Sequence, residues 1–127
     1  MKYSRDEILK KTNGHCAYCG IYLNNKFQVD HIIPKRLVHF LKGDGYMVPR
    51  FLKHLLGNTS NIEHIDNLLP SCPQCNNFKS HLSLEEFRNE LENQVERARK
   101  YSVNFRFAEK YELIEIKKKE IVFYFEK

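Results

Sequence analysis

The stretch that decides the fold is Phe27-Gln28-Val29-Asp30-His31-Ile32-Ile33-Pro34. In it an apolar, strand-like run ends in a carboxylate and an imidazole side by side, and a proline then turns the chain. Two other stretches contain further functional groups. They are Cys16-Ala17-Tyr18-Cys19 upstream and Asn67-Leu68-Leu69-Pro70-Ser71-Cys72-Pro73-Gln74-Cys75-Asn76-Asn77-Phe78-Lys79 downstream. Together they carry the carboxylate, imidazole, amide and thiol groups from which metal sites are built.

The composition predicts one folded domain over residues 1–127, since 42% of the residues are hydrophobic and 13% are aromatic. The charge is uneven. Residues 1–82 contain 11 Lys and Arg against 6 Asp and Glu, whereas residues 83–127 contain 10 of each. The positive excess therefore lies with the motifs, and it favours a nucleic-acid partner because a basic surface releases the counterions of a polyanion.

The N-terminal residues are too charged for a signal peptide, and no apolar run approaches the ~18 residues of a membrane span. We therefore expect a cytoplasmic protein with no membrane partner. In a reducing compartment its four cysteines are expected to be metal ligands or free thiols rather than disulfides.

Capping residues and hydrophobic periodicity predict the secondary structure. The predicted elements are a helix over 5–12 with a capping box at Ser4 and Glu7, two short extended segments around Asn24-Asn25, short helices over 35–42 and 49–56, a helix over 84–100, and a β-hairpin of 111–116 and 120–125.

Residues 35–66 form the least regular part of the chain and contain five Lys and Arg and three of the six histidines. Two interpretations stay open for this insertion. It is either a DNA-contacting segment or a packed surface loop.

The cysteines form two pairs, Cys16-x-x-Cys19 and Cys72-x-x-Cys75, each at the spacing that a tetrahedral zinc ion accepts. Four thiolates would saturate the ion, so this zinc is expected to be structural. Redox-active thiols or disulfides are the alternative interpretation.

Catalysis would then need a second site, and Asp30 and His31 are the first candidate residues for it. A neutral imidazole can take a proton from water near neutral pH, and a carboxylate with amide oxygens can hold a hard cation such as Mg²⁺. Asn67, Asn76 and Asn77 offer such amides. Taken alone, however, Asp-His is a common dipeptide, and a solvated pair is the simpler interpretation.

The ordered combination of Cys-x-x-Cys, Val-Asp-His-Ile-Ile-Pro and Asn-Leu-Leu-Pro-Ser-Cys-x-x-Cys-Asn-x-x-Lys resembles the HNH endonuclease family, the ββα-metal nucleases with a four-cysteine zinc site. The resemblance covers residues 5–87, apart from the insertion at 35–66. It implies an α+β fold with a ββα-metal core clamped by the zinc, and residues 83–127 would add the helix and the hairpin.

The resemblance also implies a role for each motif residue. His31 would be the general base, and Asp30 would be one ligand of the catalytic cation. Asn67 would brace the loop bearing His31 through backbone hydrogen bonds. Asn76, at the third position of an H-N-N motif, would be the second ligand, and Lys79 would contact a phosphate.

Further expectations concern cofactors, substrate and partners. The resemblance implies structural Zn²⁺, catalytic Mg²⁺ or Mn²⁺, and cleavage of double-stranded DNA to 5′-phosphate and 3′-hydroxyl ends. Lys35 and Arg36 join Lys79 as candidate nucleic-acid contacts. A non-catalytic, zinc-stabilised DNA-binding module is the alternative function.

The hairpin face of Ile121, Phe123 and Phe125 is the candidate surface of a homodimer. The remaining histidines are expected to be structural or exposed: His15, His39, His54, His64 and His81.

Overall fold

The computed structural model describes residues 2–43 and 45–127. The chain, expected to be one domain, divides into two compact units. Unit 1 comprises Met1–Leu84 and Val122–Lys127, and unit 2 comprises Glu85–Ile121. The architecture mixes short helices with a two-stranded sheet.

The sheet pairs two strands that lie far apart in sequence, β1 (Gln28–His31) and β2 (Leu68–Ser71). The strands are antiparallel, with Asp30 opposite Leu69 and His31 opposite Leu68. The prediction of an extended segment ending in Asp30-His31 is confirmed.

The other predicted extended segment, which precedes Asn24-Asn25, does not form a strand. It contributes a single bridge between His15 and Tyr22. The predicted turn is present, with Asn24 and Asn25 both at positive φ. β2 pairs with β1 in place of the nearby segment, and all four of its residues are buried.

The α-helices are short and begin at side-chain caps where the sequence offers them. They are α1 (Arg5–Lys10), α2 (Pro73–Lys79), α3 (Leu84–Glu92), α4 (Gln94–Tyr101) and α5 (Val103–Lys110). Ser4 caps α1, its Oγ accepting a hydrogen bond from the Glu7 backbone N–H at 3.1 Å, as predicted. None of the helices in the described part of the chain is both long and apolar enough to cross a bilayer.

The predicted helix over 84–100 is interrupted. Asn93, at φ −92° and ψ 4°, separates α3 from α4. Within the predicted apolar stripe, Leu84 and Phe87 are buried, whereas the residues beyond them are only half-buried. The apolar stripe is therefore not buried along its whole length, and tertiary packing of such a stripe is the main source of helix stability.

The insertion at 35–66 packs into unit 1. It forms four 3-10 helices, Lys35–Leu41, Arg50–Leu55, Thr59–Glu63 and Ile65–Asn67. The two helices predicted here are present in 3-10 form. Six of its apolar side chains are buried: Leu37, Leu41, Val48, Leu52, Leu55 and Ile62. These six apolar residues are thus part of the core, which agrees with the packed-loop interpretation.

The predicted C-terminal β-hairpin is wrong. Residues 111–121 form no strand, and the only element after them is a 3-10 helix at Tyr124–Glu126. The backbone N–H groups of Tyr124 and Phe125 instead donate to the carbonyls of Tyr18 and Ala17, at 3.1 and 2.8 Å. The chain end thus finds its hydrogen-bond partners in the first cysteine loop.

The hairpin face predicted as a dimer surface is not formed, and the homodimer itself stays a prediction. Phe123 is 1% exposed and packs edge-on against the Tyr18 ring, with centroids 5.1 Å apart. The apolar alternation of Ile121, Phe123 and Phe125 therefore reflects packing within the chain at Phe123, not a face open to a second copy.

Candidate functional site

The four cysteines converge on one point. Their Sγ atoms all lie within 4.8 Å of one another, and the Cys19 and Cys72 sulfurs are 3.9 Å apart. Zinc–sulfur bonds of about 2.3 Å in a tetrahedron place neighbouring sulfurs about 3.8 Å apart. The cluster therefore has the donor set and the spacing of a four-cysteine site that could hold a metal ion such as zinc.

Local backbone structure builds both halves of the cluster. Gly20, at φ +83°, closes the first loop, and a Cβ there would lie 3.0 Å from the Tyr124 ring. In the second half, Cys72 is the N-cap of α2, and its Sγ accepts from the Cys75 backbone N–H at 3.3 Å. The Ala17 N–H donates to the Pro70 carbonyl at 2.9 Å, which ties the first loop to β2.

The thiols also favour a cation electrostatically. A hydrogen bond from the Cys75 thiol lowers the pKa of Cys16 to about 4, and the same contact raises the pKa of Cys75. Negative charge therefore concentrates on Cys16, whereas Cys19 and Cys75, whose pKa values are raised, keep their protons. A bound dication would replace those protons and let all four sulfurs act as ligands.

Asp30 lies at the end of β1 and is only 5% exposed. Its Oδ2 accepts a hydrogen bond from the Tyr18 hydroxyl and lies 3.1 Å from the Lys79 amino group. Its Oδ1 has a longer contact to the same Lys79 nitrogen, at 3.4 Å. Asp30 also lines an open cavity.

Burial raises the pKa of Asp30, although the Lys79 ammonium and the Tyr18 hydroxyl both act to lower it. Burial likewise lowers the pKa of Lys79, opposed by Asp30. A carboxylate whose desolvation is only partly compensated gains more from a cation than an exposed one does.

Lys79 does not lie where its predicted role requires. Its side chain is fully buried, and its amino group bonds both Asp30 and the His31 carbonyl oxygen, the latter at 2.8 Å. The predicted phosphate contact is therefore wrong for the folded chain. The lysine instead joins α2 to the end of β1 through its contacts with the Asp30 carboxylate and the His31 carbonyl oxygen.

Asn67 is completely buried and makes the backbone contacts expected of it. Its Oδ1 accepts from the Ile33 N–H at 2.7 Å, and its Nδ2 donates to the carbonyls of Ile33 and Ile62 at 3.1 and 2.9 Å. The loop that follows His31 is therefore held by a single side-chain amide.

Asp30, His31 and Asn76 line one open cavity of about 280 Å³. The two predicted nucleic-acid contacts outside the core, Lys35 and Arg36, line the same cavity. An amide and a carboxylate provide the oxygen ligands that Mg²⁺ or Mn²⁺ prefers. The cavity thus brings a carboxylate, a side-chain amide, an imidazole and cationic side chains together within one volume.

Sequence reasoning gave no catalytic or binding role to several residues around this site. His81 and Ser80 complete the cavity wall, and Ser80 adopts positive φ at the end of α2. Glu63 lies 2.9 Å from the His31 imidazole. Tyr18 was visible only as a spacer between two cysteines, and Glu63 follows no recognisable spacing. A fold-level contact was needed to find either one.

In comparisons with known proteins, no family model, no curated protein and no solved structure matches this chain.

Proposed function

We propose that this chain is an HNH-type, metal-dependent endonuclease that hydrolyses DNA phosphodiester bonds. The observation that carries the proposal is the convergence of Asp30, His31 and Asn76 on one cavity flanked by Lys35 and Arg36. In the ββα-metal arrangement proposed here, β1, β2 and α2 would form the catalytic core, and the four-cysteine cluster would hold structural Zn²⁺ beside it.

In the proposed reaction, Asp30 and Asn76 would hold Mg²⁺ or Mn²⁺ through their oxygen atoms. The chemistry supplied by such an ion would be neutralisation of charge on the scissile phosphate and on the departing 3′ oxygen. The neutral His31 imidazole takes one proton from the attacking water. The new P–O bond would form as the bond to the 3′ oxygen breaks, and the departing oxygen would take a proton from solvent water, which leaves 5′-phosphate and 3′-hydroxyl ends.

Charge supports DNA as the substrate class. Unit 1 contains 12 Lys and Arg against 7 Asp and Glu, and unit 2 contains 9 of each, so the net charge of +5 resides in unit 1. Exposed Lys35 stands at the cavity itself. Phosphate contacts of this kind dominate affinity for nucleic acid and carry no sequence information.

The test is cleavage of supercoiled plasmid with Mg²⁺ or Mn²⁺ by the zinc-loaded protein and by two histidine variants. His31→Ala removes the proposed base, and the expected loss of rate is about 10²- to 10⁴-fold. His39→Ala removes an exposed histidine outside the cavity and is expected to cut like the wild type. Religation of the products by a ligase would verify 5′-phosphate and 3′-hydroxyl ends.

Equal cutting by His31→Ala and the wild type would contradict the proposal. Zinc content and thermal unfolding of both variants must match the wild type, so that a loss of cleavage is not a loss of fold. Retention of DNA on a gel without any cleavage would identify the zinc-stabilised binding module instead.

A further inference from the structure

The His31 imidazole has a carboxylate partner that comes from the insertion. Glu63 ends the 3-10 helix Thr59–Glu63, and its Oε1 lies 2.9 Å from His31 Nε2. The His31 side chain is 21% exposed and the Glu63 side chain 48% exposed. The contact is therefore accessible to solvent, and His31 also lines the cavity.

One buried residue positions both partners. Asn67 bonds Ile33, two residues after His31, and also the carbonyl of Ile62, the residue before Glu63. Ile62 is 8% exposed, so its side chain anchors the end of the 3-10 helix in the core. The brace of the His31 loop therefore also holds the backbone that presents Glu63.

The geometry determines which ring nitrogen carries the proton. An ionised carboxylate only accepts hydrogen bonds, so a neutral imidazole paired through Nε2 must carry its hydrogen there. Lys35 Nζ lies 3.8 Å from the same Glu63 oxygen and adds a cationic contact to this carboxylate. Nδ1 is then left with its lone pair, and it is the atom that can take a proton.

We propose that Glu63 is a positioning residue for His31: it holds the imidazole in the Nε2–H tautomer and aims Nδ1 as the base. This inference rests on the proposed nuclease for its catalytic meaning. After proton transfer both ring nitrogens carry hydrogens, and the Glu63 carboxylate stabilises the resulting imidazolium. The insertion would thereby supply part of the site and not only part of the core.

The first test needs no activity. Long-range proton–nitrogen correlation spectra of the zinc-loaded full chain, labelled at its imidazole nitrogens, report the tautomer of each neutral histidine. The wild type is expected to show His31 with hydrogen on Nε2. Glu63→Ala should give a mixture of tautomers, and Glu63→Gln should restore the wild-type pattern because its amide oxygen still accepts.

The second test is kinetic and uses the same variants in plasmid cleavage. Glu63→Ala should lower kcat about 10- to 100-fold at unchanged KM, since second-sphere partners of catalytic groups have effects of this size. Glu63→Gln should recover most of that loss. Glu7→Ala, an exposed glutamate on α1, is the matched control and should leave kcat unchanged.

Three results would overturn the inference. They are a wild-type His31 with hydrogen on Nδ1, a tautomer that does not respond to Glu63→Ala, and loss of Mn²⁺ affinity in Glu63→Gln, which would make Glu63 a metal ligand. If the wild type cuts no DNA, the nuclease proposal fails by itself, while the spectra still decide whether Glu63 sets the tautomer.

Discussion

The two units of the chain differ in what they bury. Unit 1 contains nearly all of the buried apolar residues, together with buried polar groups such as Asp30, Asn67 and Lys79. Unit 2, whose residues are all described, has Phe87 as its one buried apolar side chain. Several large apolar side chains of unit 2 are exposed: Tyr101, Val103, Phe107, Tyr111 and Leu113.

The difference shows where chemistry can be held. In unit 1, side chains meet across long sequence distances, as Asp30 does with Lys79, and burial limits their freedom. In unit 2, α4 and α5 are joined by a local ion pair between Arg99 and Glu109. Helices of 8 residues are marginal without tertiary packing, so order in unit 2 depends on few contacts. A preorganised site therefore belongs in unit 1.

The strongest way to break unit 1 is to remove one zinc ligand. Cys72→Ser should abolish zinc binding and unfold unit 1, because zinc binding at a structural site is folding free energy, on the order of 10 kcal/mol. Hydrogen exchange should show loss of amide protection in β1 and β2. Treating the wild type with a chelator should cause the same loss of amide protection. Adding zinc back should restore protection in the wild type but not in Cys72→Ser. Retained protection in Cys72→Ser would show that the apolar core suffices.

A smaller effect is expected where the brace is removed. Asn67→Ala leaves the Ile33 amide and the Ile33 and Ile62 carbonyls buried without their partner, which should lower the free energy of unfolding by about 3 kcal/mol. Urea unfolding followed by tyrosine fluorescence measures it. Asn104→Ala, at an exposed position of α5, should change it by less than about 0.5 kcal/mol. Equal effects would contradict the contrast between the units.

The smallest effect concerns the ion pair of unit 2. Hydrogen bonds from Arg99 lower the pKa of Glu109 below its usual value. A depressed folded-state pKa stabilises the fold above the ordinary glutamate pKa, and this contribution is lost as the pH falls through the folded value. Glu109→Gln should therefore be slightly less stable than the wild type at neutral pH.

The difference should vanish in acid, and circular dichroism during thermal unfolding at each pH measures it. Glu120→Gln, at an exposed position, serves as the control and should show no such pH-dependent difference. A stability difference between Glu109→Gln and the wild type that persists in acid would be the contrary result. That result would assign the difference to packing, since a protonated Glu109 carries no charge.

Local signals in the sequence were sufficient for several features. The Cys-x-x-Cys spacings predicted the cluster, and Ser4 predicted the start of α1, because each of these depends on residues within a few positions of one another. Asp30 and His31 were placed at a strand end by the apolar run before them. The alternation of apolar and polar residues gave a wrong prediction at Phe123 and Phe125, where no hairpin forms. A period of two in the sequence does not determine which residues pack against the apolar side chains.

By itself, the sequence determined the thiol pairs, the carboxylate–imidazole pair at the end of β1 and the helix caps, all of which are short-range patterns. Only the tertiary structure decided that β2 pairs with β1, that Lys79 is a buried partner of Asp30 and that Glu63 faces His31. These contacts join residues 32 or more positions apart, and which distant groups meet depends on how the whole core packs.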